Sequence, residues 1–147
     1  MLEKTGVMTE TEAGQINPVV LAFLGDAVYS LWVRERLVRS GAGKPSEFQR
    51  TAGKLVSARG QSAFLERVLP ILSERETEIF KRGRNAKKPT KSKHASVSEY
   101  NRSTGFEAVL GYLHLTGNTE RIETLLCLID EEEFKGEAVA KPYKPRS

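Results

Sequence analysis

The stretch NPVVLAFLGDAVYSLWVRERLV, residues 17–38, predicts one long helix that is apolar around most of its circumference. Asn17 is a typical helix N-cap and Pro18 suits the first helical position, while Gly41 favours the left-handed residue that ends a helix. Asp26 lies in the middle of this helix. Because burying an unpaired ionised carboxylate is costly, Asp26 requires a partner or a function.

Length and composition predict one globular domain. The chain has 147 residues, of which 39% are hydrophobic and 29% charged, enough for a hydrophobic core. The longest apolar run, residues 19–24, is too short for a membrane span, and no secretory signal is recognisable. We therefore expect a cytoplasmic protein with no membrane partner. The single cysteine, Cys127, forms no internal disulfide and is expected to be buried on the last helix.

Helix caps and breakers recur along the chain, and β-type alternation is nearly absent, so the predicted fold class is all-α, a helical bundle. After the first long helix, five more helices are expected, over about residues 46–60, 61–68, 74–83, 99–116 and 119–135. The predicted organisation is an N-terminal segment over 1–14, a folded domain over 15–135 and a disordered tail over 136–147.

Small residues surround Asp26 along its helix. Ala22 and Ser30 lie one turn before and one turn after it. Gly25 precedes it, and a glycine inside a helix lowers helix stability by roughly 0.5–1 kcal/mol relative to alanine. We infer that something approaches the backbone closely at Gly25.

The segment STGFEAVLGYLHL, residues 103–115, repeats this arrangement around Glu107, with Ser103 and Gly111 one turn away on either side. Both helices are too apolar for the surface, so we expect them to pack side by side and bring Asp26 and Glu107 together. Two such carboxylates repel unless a proton or a cation lies between them, and Mg²⁺ suits this role, with Mn²⁺ as a substitute. The alternative is that each acid pairs with an arginine or caps a neighbouring helix.

Residues 81–94, KRGRNAKKPTKSKH, form a basic segment without a single acid. It holds seven of the 23 basic residues, which leaves 16 basic against 19 acidic residues elsewhere. The segment is expected to be a loop, and its candidate RNA-binding residues are Lys81, Arg82, Arg84, Asn85, Lys87, Lys88, Lys91 and Lys93. Such side chains contact phosphates, which predicts strong salt dependence and little sequence discrimination. A solvated loop without a ligand is the alternative.

Several side chains are candidates for the surroundings of the acidic pair or for its entrance. They are Ser30, Tyr100, Arg102 and Thr104, and capping or packing is the alternative role for Tyr100 and Arg102. His94 is expected to add to the basic segment. His114 either supports Glu107 or is an ordinary core or surface histidine.

The two acidic stretches carry a family resemblance. LAFLGDAVYSLWVRERL resembles the signature of ribonuclease III catalytic domains, usually E-x-L-G-D-[AS]-V-L, and FEAVLGYLHL resembles their second acidic motif, D-x-x-E-A-x-x-G. The stretch KRGRNAK, the short chain and the lack of a double-stranded-RNA-binding domain after residue 135 resemble the Mini-III subgroup. The resemblance covers about residues 15–130, with the motifs in the same chain order.

By motif position, the resemblance makes Asp26 the metal-binding aspartate and Glu107 the metal-binding glutamate. Ala22 replaces a family glutamate, and Thr104 replaces the first aspartate of D-x-x-E. Fewer direct metal ligands are therefore expected than in larger relatives, as the Mini-III pattern implies. A further family acid belongs near Glu47, where the match is too loose for an assignment.

The resemblance also implies a metal-dependent homodimer that cleaves double-stranded RNA, leaving 5′-phosphate and 3′-hydroxyl ends. The implied substrate is precursor 23S ribosomal RNA, and a ribosomal protein is a candidate helper. A dimer would explain a helix that is apolar nearly all round. Two alternatives stay open: an RNA-binding module that has lost catalysis with its missing acids, and a helical protein-interaction dimer without an RNA role.

Overall fold

The computed structural model describes residues 6–41, 43–88 and 95–129, and within these ranges every regular element is helical. This confirms the predicted all-α fold class. The helices are α1 (Glu10–Gly14), α2 (Pro18–Ser40), α3 (Pro45–Val56), α4 (Ala58–Val68), α5 (Glu74–Asn85), α6 (Val97–Leu115) and α7 (Thr119–Leu126), with a short 3-10 turn at Leu69–Ile71.

Helix α2 begins and ends as its sequence predicts. The side chain of Asn17 accepts a hydrogen bond of 2.8 Å from the backbone N–H of Val19, and Pro18 occupies the first helical position. Gly41 ends the helix in the left-handed conformation, with a φ of 67°.

Helices α3 and α4 are separated at Ser57, whereas the sequence suggested one helix continuing to Gly60. Ser57 is extended, with a φ of −65° and a ψ of 156°, and its side chain accepts from the N–H of Gly60 at 3.0 Å. A Cβ on Gly60 would lie 1.9 Å from the carbonyl oxygen of Lys54. The glycine therefore permits a tight corner between two helices and does not end the first one.

Helix α5 continues to Asn85, so its predicted end at Gly83 is wrong. Gly83 is buried against α6, where an added Cβ would lie 2.9 Å from the Cα of Gly105 and 3.1 Å from the Cβ of Ala108. The glycine serves close helix packing and does not break the helix. As a consequence, residues 81–85 of the basic segment are helical, and the expectation of a loop fails for this part of it.

The ends of the chain also differ from the expected helices. A capping box between Thr9 and Glu12, which was not predicted, starts α1, and Ala13 from this helix is fully buried. Helix α7 stops at Leu126, because the next turn tightens into i→i+3 bonds such as that from Ile129 to Leu126. Residues 130–147, including the expected tail, lie outside the described residues.

Helix α6 is the centre of the bundle and packs against α2, α4, α5 and α7. The core includes three rings from three helices, Tyr29, Phe64 and Phe106, whose centroids lie 5.4–6.2 Å apart. Cys127 was expected to be buried but is exposed, because it follows the last turn of α7. His114 is a surface residue. Within the described ranges, no helix combines the length and apolarity needed to cross a membrane.

Candidate metal centre and RNA-binding surface

Helices α2 and α6 cross with their backbones in contact at two glycines. A Cβ on Gly25 would lie 1.7 Å from the carbonyl oxygen of Glu107, and a Cβ on Gly111 would lie 2.0 Å from that of Leu21. Any larger residue would force the two helices apart. The close approach predicted from Gly25 is therefore observed, and it is made by the helix that carries Glu107.

The crossing places the side chains of Asp26 and Glu107 within hydrogen-bonding distance of each other. Burial of Glu107, its hydrogen bond to Asp26 and the charge of Asp26 raise the pKa of Glu107 to about 9, against a smaller lowering by Gln61. The Glu107 carboxyl group is therefore protonated at neutral pH and can donate its hydrogen to Asp26. The two acids therefore form one site.

The two acids differ in their access to solvent. Glu107 is half-buried, but Asp26 is exposed, so the expectation of a buried Asp26 was wrong. No cation contributes to the pKa of Glu107; the described groups that act on it are Asp26 and Gln61. The geometry thus favours the paired-carboxylate interpretation over separate pairing of each acid with an arginine. The carboxyl pair lies at the edge of the molecule, where a ligand can reach it.

Ala22 and Thr104, which replace acids of the two motifs, are both buried side chains. Ala22 is buried on α2, and Thr104 is buried on α6, where its hydroxyl donates to the backbone carbonyl of Tyr100 at 3.0 Å. In the part of the chain that the structure describes, no group of three or more histidine, cysteine, aspartate or glutamate side chains is placed to hold a metal ion. The site is a pair of acids.

Such a pair suits a hard divalent cation. Two neighbouring carboxylates can bind Mg²⁺ through oxygen once Glu107 has lost its proton, and Mg²⁺ is commonly held by one or two carboxylates plus substrate phosphates. The donor set therefore fits Mg²⁺ or Mn²⁺. Asp26 and Glu107 are the residues that would hold the ion.

Known proteins match this chain over most of its length. The model of the ribonuclease III domain matches residues 19–118, a range that includes α2, α6 and both acids. The chain belongs to the ribonuclease III family. Its relatives identify this family member as an endoribonuclease: Mini-ribonuclease 3 of Streptococcus pneumoniae is 50% identical over 113 residues, covering 76% of this chain and 88% of the relative.

Two further comparisons agree. Mini-ribonuclease 3 of Brevibacillus brevis is 46% identical over 110 residues, covering 75% of this chain and 82% of that protein. A crystal structure of a Fusobacterium nucleatum protein superposes with a TM-score of 0.72 at 28% identity, covering 81% of this chain and 95% of the other. The ribonuclease III fold expected from the two acidic motifs is thereby confirmed.

One residue at the acidic pair, Gln61, was not predicted from the sequence. Gln61 on α4 is 1% exposed, and its side-chain amide donates to Glu107 Oε2 at 3.3 Å. A sequence signal existed, because Gln61 is a polar residue in line with Phe64, Leu65 and Val68 on the buried side of α4. The partner of Gln61 lies on a different helix, and no pattern within α4 identifies it.

Glu47 and the candidate entrance residues have local structural contacts. Glu47 accepts a hydrogen bond of 3.0 Å from the backbone of Lys44 and so caps α3. Arg102 forms an ion pair of 2.6 Å with Glu66. Tyr100 and Ser30 are half-buried, and the backbone carbonyl of Tyr100 accepts the Thr104 hydroxyl. A direct role for these side chains at the acidic pair stays a prediction.

The basic segment divides into exposed and anchored side chains. Lys81, Asn85 and Lys87 are exposed. Arg82 instead donates to the Gly14 carbonyl at 2.7 Å and links α5 to the end of α1.

The remaining described cations of the segment contact their own helix. The Lys88 ammonium donates to the Arg84 and Ala86 carbonyls at 2.9 and 2.6 Å, and burial lowers the pKa of Lys88. The Arg84 guanidinium lies 5.9 Å from the Phe80 ring centroid. Lys91, Lys93 and His94 lie outside the described residues. Among the described cations of this segment, Lys81 and Lys87 are therefore the two with exposed side chains.

Proposed function

We propose that this ribonuclease III family endoribonuclease cleaves double-stranded RNA with a divalent cation held by Asp26 and Glu107. The observation that supports this proposal is the hydrogen-bonded carboxyl pair where α2 and α6 cross. The pair is half-open to solvent, contains oxygen donors only and lies within the range that the family model matches, residues 19–118. A core ion pair would instead need a cationic partner.

The reaction requires the chain to do three things. Gly25 and Gly111 let α2 and α6 approach, which fixes the separation of the two carboxylates. Glu107 must give up the proton that it holds in the metal-free protein, and it then provides a charged ligand beside Asp26. A bound Mg²⁺ would supply an activated water and neutralise charge on the phosphate and the leaving 3′ oxygen. Lys81 and Lys87 would hold the duplex by its phosphates.

A homodimer is part of the same proposal. Val20, Phe23, Leu31 and Val38 are 55–82% exposed, and all four lie on one face of α2 by helical geometry. Apolar side chains recur along this face of the 23-residue helix, interrupted by the exposed Arg34, and such a surface is typical of one that a partner covers. A second copy of the chain is the proposed partner, because a two-fold axis along this face would pair the face with itself. Asp26 lies one turn from Phe23, at the edge of this surface.

The proposed substrate is precursor 23S ribosomal RNA. Its support is the resemblance to Mini-III enzymes given above and the similarity to proteins named Mini-ribonuclease 3. Cleavage of a precursor 23S transcript, with and without added ribosomal proteins, tests both the substrate and the candidate helper. Ends that match the mature rRNA are expected, and random fragments would contradict the substrate assignment.

Cleavage of a long RNA duplex tests the activity itself. We expect the wild-type protein to cut the duplex in Mg²⁺, to leave 5′-phosphate and 3′-hydroxyl ends, and to stop in EDTA. Asp26→Asn and Glu107→Gln should each abolish cleavage while duplex binding in a gel-shift assay persists. Glu120→Gln, which alters an exposed acid on α7, is the matched control and should cleave like the wild type.

The same assay separates the alternatives. An RNA-binding module that has lost catalysis would bind the duplex without cutting it in either Mg²⁺ or Mn²⁺. Full activity in both acid variants would contradict the assignment of the metal pair.

A further inference from the structure

Gln61 is a buried polar side chain on α4 that contacts both α3 and α6. It lies in the first turns of α4, is 1% exposed, and its amide nitrogen contacts two oxygens. One is the backbone carbonyl of Val56 at 3.1 Å, and the other is Glu107 Oε2 at 3.3 Å. Val56 ends α3, where helix carbonyls lack partners within the helix. The break at Ser57 is what brings this carbonyl to the Gln61 amide.

These two acceptors fix which way the amide faces. A side-chain amide nitrogen has two hydrogens, and here each one has an oxygen to bond. With the amide reversed, the Gln61 oxygen would face the Val56 carbonyl oxygen, and that contact would become repulsive. The N–H of Gln61 is therefore held toward Glu107 by a backbone group that cannot move without displacing the end of α3.

The other end of the same amide is unsatisfied. Gln61 Oε1 is buried and accepts no hydrogen bond from the residues that the structure describes. A buried acceptor without a partner lowers stability, and such groups are rare in folded proteins. An apolar side chain of similar size, such as methionine, would pack in line with Phe64 and Leu65 without this penalty. Stability therefore does not explain a glutamine at this position.

We infer that Gln61 is a positioning residue, whose amide N–H donates to one oxygen of Glu107. This hydrogen bond holds the Glu107 carboxylate in the orientation in which it can bind the same cation as Asp26. This inference rests on the proposed metal pair and adds a third helix, α4, to the site. Glu107 lies 46 residues from Gln61 in the chain, so the contact exists only in the folded bundle. Partners of metal ligands typically alter metal affinity about 10- to 100-fold when they are removed.

The test compares Gln61→Met with Leu65→Ala, a buried control on the same helix. Mn²⁺ alone is titrated and followed by electron paramagnetic resonance, unfolding by urea is measured in EDTA, and duplex cleavage is measured over a range of Mn²⁺. For Gln61→Met we expect a Mn²⁺ binding midpoint about tenfold higher than that of the wild type. Its urea midpoint should be unchanged or higher, and saturating Mn²⁺ should restore most cleavage. Leu65→Ala should lower the urea midpoint and keep the wild-type Mn²⁺ midpoint.

The proposal is overturned if Gln61→Met binds Mn²⁺ like the wild type, or if Leu65→Ala shifts the Mn²⁺ midpoint equally. Glu107→Gln is included to separate this inference from the proposed function. Wild-type Mn²⁺ binding by Glu107→Gln would contradict the metal pair itself. Loss of binding in Glu107→Gln with normal binding in Gln61→Met would contradict the positioning role alone.

Discussion

Glu107 keeps a proton at neutral pH because the fold places it beside a second carboxylate and partly away from water. The sequence supports this pairing to a useful extent, since Asp26 and Glu107 both have small residues one turn away and a glycine nearby. The sequence does not give the exposure of Asp26 or the contact with Gln61. Both depend on the packing of separate helices, and the pattern within one helix carries no information about a partner 46 residues away.

The raised pKa predicts how the stability of the metal-free protein depends on pH. The unfolded chain releases the Glu107 proton near pH 4.5, whereas the folded chain keeps it until about pH 9. Between these values the folded state binds the extra proton, so the free energy of unfolding falls by up to about 1.4 kcal/mol per pH unit from this group. Urea denaturation in EDTA at several pH values measures the slope. Glu107→Gln should lack this contribution, and identical slopes in both proteins would contradict the raised pKa of Glu107.

Helices α2 and α6 form the element pair on which the site depends. Their predicted side-by-side packing is confirmed, since the interior glycines allow the close approach. Other helix boundaries were predicted less well. A glycine that allows close packing inside a helix and a glycine at a corner between helices look alike in a sequence. Gly83 lies inside a helix that continues past it, and Gly60 lies just after a break at Ser57. Only the neighbouring helix or corner distinguishes these cases.

Substitutions of glycine test the crossing. Gly25→Ala would place a Cβ 1.7 Å from a backbone oxygen, so the helices must separate, and we expect a loss of about 3 kcal/mol or more in the free energy of unfolding. Gly53→Ala is the matched control, because it lies inside α3 with no atom within 4 Å of the added Cβ. It should stabilise the protein by roughly 0.5–1 kcal/mol. Urea denaturation measures both, and a neutral Gly25→Ala would contradict backbone contact at the crossing.

An ion pair between elements gives a second prediction. The Glu76 carboxylate on α5 is buried and accepts hydrogen bonds of 2.8 and 2.9 Å from Arg121 on α7. Burial would raise the pKa of Glu76, but Arg121 and the backbone of Ser73 lower it overall. Arg121→Met leaves a buried charge unpaired and should cost about 3 kcal/mol at neutral pH. Thermal or urea denaturation checks this. Glu66→Gln, at an exposed ion pair, should change stability by less than about 1 kcal/mol.

At the scale of the whole molecule, the apolar face of α2 predicts a dimer. Changing Leu31 and Val38 together to glutamate should give a monomer of 16.4 kDa, whereas the wild type should sediment at twice that mass. Val97→Glu alters an exposed apolar residue on α6 and should leave the dimer intact. Analytical ultracentrifugation measures the mass. A monomeric wild type would contradict the proposed assembly.

The charge distribution of the whole molecule predicts how RNA binding responds to salt. Changing Lys81 and Lys87 together to alanine should reduce the slope of log affinity against log salt by roughly 1.4–1.8, if each lysine neutralises one phosphate. Lys44→Ala with Lys54→Ala removes the same charge from exposed positions on and beside α3 and should leave the slope nearly unchanged. Equal slopes for the two double variants would contradict a localised RNA surface.

Direct binding of Mn²⁺ to the carboxyl pair tests the central claim most closely. Electron paramagnetic resonance at pH 7.5 should show Mn²⁺ bound by the wild type and by Glu120→Gln with the same affinity. Asp26→Asn and Glu107→Gln should each bind it at least about tenfold more weakly, because each lacks one of the two charged ligands. Wild-type Mn²⁺ affinity in both acid variants would contradict the assignment of Asp26 and Glu107 as the metal site.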